Sequence, residues 1–242
     1  MVRAAALLAL LAALAVYYAI AERLPDLSLW VEVVFLGVVL LPAAFLLVWL
    51  TLPLWRAGTW RLGWVVVVLA AVTAVLELLD LDVAANFTKF AAVTAAGWWF
   101  LGFFEAASWV LLVALLIVPV DIFSVERGPT KHIVEEQPQI FDLLSIGFPI
   151  PGEHASAQLG LPDILFFALF LGAAARFGLR PGWTFVAMVA SFGLTLAAAV
   201  WLDVGGLAAL PLLSAAFVLA NADLLWGAFR SRRVENPGPP PE

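Results

Sequence analysis

The chain has no cysteine and only two histidines among its 242 residues. The absence of cysteine excludes disulfide bonds, thiolate metal sites, iron–sulfur clusters and thiol nucleophiles. The histidines, His132 and His154, fall in one segment, and a metal site built from them would need further ligands. We therefore expect no metal ion and no cofactor, and a structural role for each histidine.

Charge is also scarce, because 12% of the residues are charged and 64% are hydrophobic. A soluble domain of this length does not have such a composition, which is typical of a multi-pass membrane protein. The 12 lysines and arginines form no basic face that could neutralise phosphates. Nucleic-acid binding is therefore not expected.

Long apolar runs dominate what is present. A membrane-crossing helix needs about 20 apolar residues, and charge, Pro and Gly divide the chain into eight blocks of about that length, at 4–21, 30–54, 62–79, 83–100, 103–123, 157–177, 184–202 and 206–229. This predicts an all-α bundle of about eight transmembrane helices in a single domain over 1–229, followed by a Pro-rich, disordered tail over 230–242. The first block resembles a secretory signal with a cleavage site after residue 21, and we interpret it as a retained helix.

The positive residues orient this bundle. With eight spans, one side carries more of them than the other: Arg3, Arg56, Arg61, Arg176, Arg180, Arg230, Arg232 and Arg233 lie on one side, and Arg23, Arg127 and Lys131 on the other. The positive-inside rule then puts both termini in the cytoplasm and the segment 124–156 outside. Abundant Ala, Leu and Val with Arg in place of Lys suggest a prokaryotic plasma membrane.

Most polar residues at membrane depth lie near block ends, where snorkelling or headgroup contact is the simplest interpretation. This set comprises Glu32, Glu77, Asp80, Asp82, Lys89, Glu105 and Asp203. Asn221 and Asp223 lie about two turns from the end of the last block, where we predict hydrogen bonds between helices. Asp121 and Asp163 remain.

These two carboxylates match in depth, because Asp121 lies near the outer end of the fifth block and Asp163 near the outer start of the sixth. Two carboxylates on neighbouring helices can share one proton. Such a pair can activate water against a peptide carbonyl, as in an aspartic protease. It can also serve a proton-coupled transporter, and the spacing alone does not separate the two functions.

Four motifs in the second half of the chain occur in a recognisable order: "VPVDIFSV" around Asp121, "ERGPTKHIVEE" after it, "LGLPD" ending at Asp163, and "LAALPLLSAAF" in the last block. Together they resemble the presenilin and signal peptide peptidase family, the GxGD-type intramembrane aspartyl proteases. The resemblance implies that Asp121 and Asp163 are the catalytic aspartates. It further implies that Gly160, Leu161 and Pro162, and the Pro-Ala-Leu-like Ala209, Leu210 and Pro211, contact substrate.

The orientation matches the signal peptide peptidases within that family, which implies transmembrane helices or remnant signal peptides as substrates. Two residues depart from the family pattern: Val120 replaces the usual Tyr, and Pro162 replaces the second Gly of the motif. A helix that begins at Pro162 would tolerate this proline and place Asp163 at a helix N-terminus. We then expect Asp163 to be the ionised base and Asp121 to hold the proton. An inactive family member that binds transmembrane helices stays open as an alternative.

The outer segment is the last feature with a possible function. Pro129 with "TKHIVEE" predicts a short interfacial helix, and 141–152 predicts an extended segment on the membrane surface. An exposed strand edge beside Asp163 would accept the unwound backbone of a substrate by strand addition.

Overall fold

The structure, a computed structural model, describes residues 2–126, 142–204 and 207–227. Within these ranges the chain is mainly helical. The helices are α1 (Val2–Ile20), α2 (Leu29–Phe35), α3 (Leu41–Thr51), α4 (Thr59–Leu78), α5 (Asp82–Leu101), α6 (Ala107–Glu126), α7 (Leu161–Arg176), α8 (Pro181–Trp201) and α9 (Leu210–Ala220). The interfacial helix predicted after Pro129 and the tail 230–242 lie outside the described residues.

The second apolar block forms one interrupted rod. A π-helical turn, Leu36–Leu40, joins α2 to α3, and a 3-10 turn, Leu52–Ala57, follows. Pro42 stands in the first turn of α3, and its missing N–H cannot continue the regular helical ladder. A π-turn is one way for a helix to absorb that break.

Five helical segments in the described part are long and apolar enough to cross a membrane. They are Val2–Arg23, Leu29–Ala57, Thr59–Leu78, Ala107–Ser124 and Pro181–Trp201. This confirms a helical integral membrane protein. The other blocks give α5, which contains Asp82 and Lys89, and the shorter α7 and α9, of 16 and 11 residues. Eight spans therefore stay a prediction.

Helix α7 is the centre of the bundle. Its side chains from Phe167 to Ala174 are buried, and it contacts α5, α6, α8 and α9. Phe45 of α3 stacks against the rings of both Phe167 and Phe192, with centroid distances of 4.1 and 4.8 Å. Burial on all sides holds α7 in one position, which matters because Asp163 lies in its first turn.

Gly97 allows α5 to approach α7 closely. A Cβ atom added at Gly97 would lie 2.6 Å from the carbonyl oxygen of Leu165 and 2.8 Å from the Cβ of Ala168. Small residues at such contacts let membrane helices pack backbone to backbone. Any side chain larger than the hydrogen atom of glycine at position 97 would force α5 and α7 apart.

The prediction of a wholly α-helical fold is wrong in one place. Strands β1 (Ser145–Pro149) and β2 (Ser156–Gly160) form an antiparallel hairpin in which Ser145 faces Gly160 and Pro149 faces Ser156. The sixth block was therefore predicted to start four residues too early, at 157, because its first apolar residues belong to β2 and the helix begins at Leu161. The extended segment predicted over 141–152 does contain β1.

The structure tests the roles predicted for two polar residues, Lys89 and Asn221. Lys89 does not snorkel: it is 8% exposed, and its Nζ atom lies 2.9 Å from the Glu77 carboxylate. Asn221 makes the predicted bonds between helices, since its Nδ2 donates to Thr184 Oγ1 at 2.8 Å and its Oδ1 accepts from the Arg180 N–H at 2.9 Å.

Candidate active site

Asp163 is the third residue of α7 and follows directly from strand β2. Gly160 precedes the helix in an extended conformation (φ −61°, ψ 143°), and Pro162 stands in the first helical turn. The missing N–H of a proline costs nothing there, because the first amides of a helix have no intrahelical partner. Pro162 is therefore compatible with a helix that presents Asp163 at its N-terminus, although the helix starts one residue earlier than expected.

Asp121 lies near the end of α6, two residues after Pro119. Its Oδ2 atom accepts a hydrogen bond from the backbone N–H of Leu210, at 3.1 Å. Leu210 is the first residue of α9 and is almost fully buried. The unprotonated oxygen of a carboxyl group is the better acceptor, so the Leu210 N–H favours a proton of Asp121 on Oδ1.

The two carboxylates come from neighbouring helices, because α6 and α7 are in contact. Each side chain is partly buried. Helix α9 contacts both α6 and α7. Three segments singled out in the sequence thus converge: the end of α6, the junction of β2 with α7, and the start of α9.

Helix dipoles do not separate the roles of the two aspartates. From the sequence, Asp163 was predicted to be the ionised member of the pair, because only that residue was expected at a helix N-terminus. The N-terminus of α9 offers Asp121 the same kind of donor through Leu210. Which carboxylate is ionised therefore does not follow from the helix ends.

The remaining candidate residues surround this pair unevenly. Leu161 is partly buried and Pro162 is exposed, while Ala209 is buried and Pro211 lies in the first turn of α9 rather than inside a continuous helix. Val120 is 59% exposed and contributes only apolar surface next to Asp121.

Sequence reasoning missed a group of polar side chains that bind β1. Tyr17 and Tyr18 of α1, together with Asn86 and Lys89 of α5, donate hydrogen bonds to backbone carbonyls in or next to this strand. A signal existed, because the chain has only two tyrosines and they are adjacent within an apolar block. What the sequence could not reveal was their partner, about 130 residues away.

No group of three or more acidic, histidine or cysteine residues suited to a metal ion occurs in the part of the chain that the structure describes. His154 lies on the surface, with its Nδ1 3.4 Å from the Glu22 carboxylate. His132 lies outside the described residues.

Searches of family models, of curated proteins and of solved structures find no match for this chain. The functional assignment therefore rests on the residues and geometry described above.

Proposed function

We propose that this protein is an intramembrane aspartyl protease, a prokaryotic homologue of the presenilin and signal peptide peptidase family, with a presenilin-like arrangement of eight spans. The observation that carries the proposal is that Asp121 and Asp163 lie on contacting helices of a membrane protein, and that the N-terminus of α9, which contacts both helices, donates a hydrogen bond to Asp121. The match of "VPVDIFSV", "LGLPD" and "LAALPLLSAAF" to family motifs supports it further.

The pair divides the chemistry of hydrolysis between its members. One carboxylate takes a proton from water as the water oxygen attacks the peptide carbonyl carbon, and the other donates its proton to the carbonyl oxygen. The tetrahedral intermediate then collapses, the C–N bond breaks, and the leaving nitrogen takes a proton from the pair. Because Oδ2 of Asp121 already accepts the Leu210 N–H, Oδ1 is the atom that we assign to water or to the shared proton.

Substrate must be extended to react, since the peptide bonds of a helix are shielded by their own turns. Strand β2 ends at Gly160, three residues before Asp163, and its Ser156 and Gln158 are exposed. An unwound transmembrane segment that adds to β2 would run toward the carboxylates. We propose transmembrane helices and remnant signal peptides as substrates, with both termini of the protease in the cytoplasm.

The test is hydrolysis by purified protein in proteoliposomes, using a single-span peptide reporter. We expect two product peptides whose new ends, determined by mass spectrometry, lie within the apolar segment. Reporter binding without products would favour the alternative of an inactive member of the family that holds transmembrane helices. If the protein neither binds the reporter nor yields products, both the protease and the inactive-member proposals are rejected.

Gly160→Ala tests how closely Asp163 is fitted to the strand before it. The added Cβ would lie 3.2 Å from Oδ2 of Asp163, a crowded contact that displaces the carboxylate by a few tenths of an ångström. We expect kcat/KM to fall by about ten- to a hundredfold, because misplacing a catalytic group is costly. Gly182→Ala is the control, since nothing lies within 4 Å of its added Cβ. Equal kinetics of the two variants would contradict this fit.

A further inference from the structure

The two edges of the hairpin differ. Hydrogen bonds from the Leu161 N–H to the Leu144 carbonyl (3.0 Å) and from the Ile150 N–H to the Ala155 carbonyl (3.4 Å) continue the ladder beyond the strand ends. In an antiparallel pair the bonded positions alternate. Ile146 and Phe148 therefore face β2 with their backbone groups, and the backbone groups of Ser145, Gly147 and Pro149 point to the opposite edge.

That opposite edge of β1 is filled by side chains. The Asn86 side chain bonds Gly147 twice, as a neighbouring strand would: Nδ2 donates to the carbonyl at 2.7 Å, and Oδ1 accepts the N–H at 3.2 Å. Tyr18 donates to the same carbonyl at 2.9 Å, and Tyr17 donates to the carbonyl of Pro149 at 2.6 Å. These side chains of α1 and α5 leave no room in the ladder for another strand.

Lys89 occupies the same edge of β1 near the start of the strand. Its Nζ atom contacts the carbonyl of Ser145 at 3.5 Å and that of Asp142 at 3.2 Å, and Glu77 balances its charge. The side chains of Ile146 and Phe148 are 2% exposed and pack in the core. Strand β1 is thus anchored through both its backbone and its side chains.

The outer edge of β2, unlike that of β1, is not covered by other described residues. Ser156 and Gln158 are exposed, and within the described residues the outward backbone groups of Gln158 have no protein partner. The Gln158 side chain bonds back to β1, accepting from Ser145 Oγ at 2.9 Å. Among the described residues, the hairpin is thus closed on the β1 edge and open on the β2 edge, which is continuous with Asp163.

We infer that Asn86, with Tyr17 and Tyr18, serves as a substitute third strand that makes the hairpin one-sided and fixes its position before substrate arrives. This inference rests on the proposed function and deepens it. A peptide can then add only to β2, and the anchored hairpin sets which bond of the peptide reaches the aspartates. Because each residue of a strand advances the chain by about 3.3 Å, a slip of one residue presents a different bond. Asn86 is in this sense a positioning residue for the cleavage site.

The first test compares Asn86→Leu with Thr88→Val in the full chain, using the transmembrane reporter. Both changes replace a polar side chain of α5 by an apolar one of similar size, and Thr88 bonds only within α5 and to Thr73 of α4. For Asn86→Leu we expect cleavage to spread over neighbouring peptide bonds and KM to rise about tenfold with kcat little changed. For Thr88→Val we expect the wild-type product ends and KM. Unchanged product ends and KM in Asn86→Leu would overturn the inference, even if that variant were less stable.

Hydrogen exchange provides a second test that does not require turnover. In the wild type without substrate, we expect the Gly147 amide to be protected and the Gln158 amide to exchange fast, and Asn86→Leu should remove the protection at Gly147. Adding the single-span peptide should protect Gln158. If the wild type cleaves no reporter, the proposed function fails, and this exchange pattern still decides the inference. The inference would be overturned if the peptide left the Gln158 amide unprotected, or if the Gly147 amide exchanged as fast as that of Gln158 before peptide was added.

Discussion

We expect Asp121→Asn and Asp163→Asn each to reduce reporter cleavage to background, a loss of at least about a thousandfold. Asparagine has nearly the shape of aspartate, but it cannot accept a proton from water or hold one for the carbonyl oxygen. At position 121 the amide oxygen can still accept the Leu210 N–H, so the link between α6 and α9 survives. We therefore expect the thermal unfolding of both variants to stay close to that of the wild type.

Asp203→Asn is the matched control for this pair. Asp203 is exposed beyond the end of α8 and has a positive φ of 53°, which asparagine also adopts readily. Its turnover should equal that of the wild type in the same kinetic assay. Wild-type turnover in either dyad variant would reject the dyad as the catalytic group, and with it the proposed mechanism.

Gly97→Ala should cause the largest loss of stability among the substitutions considered. The added methyl group would meet the Leu165 carbonyl oxygen and the Ala168 Cβ, neither of which can swing away as a flexible side chain would. Overpacking of this kind costs about 1–3 kcal/mol of unfolding free energy. Since Leu165 lies two residues after Asp163, separation of α5 from α7 should also lower turnover.

The stability measurement is unfolding in mixed detergent micelles, read by circular dichroism. Gly182→Ala provides the comparison, because it makes the same change on a helix with open space around the new methyl group. That variant should be as stable as the wild type or slightly more stable, since alanine favours a helix over glycine. Equal unfolding midpoints for the two variants would mean that α5 and α7 do not pack as described.

The sequence predicted the helices better than the segment beside the site. Apolar blocks bounded by charge, Pro and Gly anticipated each helical rod, including the break at 102–106 between α5 and α6. Strand β1 lies within the extended segment predicted over 141–152, but residues 157–160 of β2 were assigned to the sixth helix because Ala157 and Leu159 continue smoothly into the apolar residues of α7. Five residues of strand have too weak a pattern to stand apart from such a helix.

For the candidate site, the sequence predicted the residues but not all of the contacts between their helices. Depth along the chain placed Asp121 and Asp163 at one level, and motif resemblance selected Leu210. Hydropathy does not say which helices are neighbours, so the contact of α9 with both α6 and α7 could not be deduced. Lys89 was assigned to the membrane surface for the same reason, because its partners Glu77 and Ser145 come from other segments.

The hydrogen bond from Leu210 to Asp121 has a consequence for biosynthesis. The ribosome makes Asp121 and Asp163 well before residue 210, so a nascent chain holds both aspartates while the N–H donor for one of them is still missing. Tyr17, made near the beginning, likewise waits for Pro149. In the proposed protease, the catalytic pair would gain this donor only after α9 is made and packed, which would keep an unfinished chain from attacking other newly made helices at the translocon.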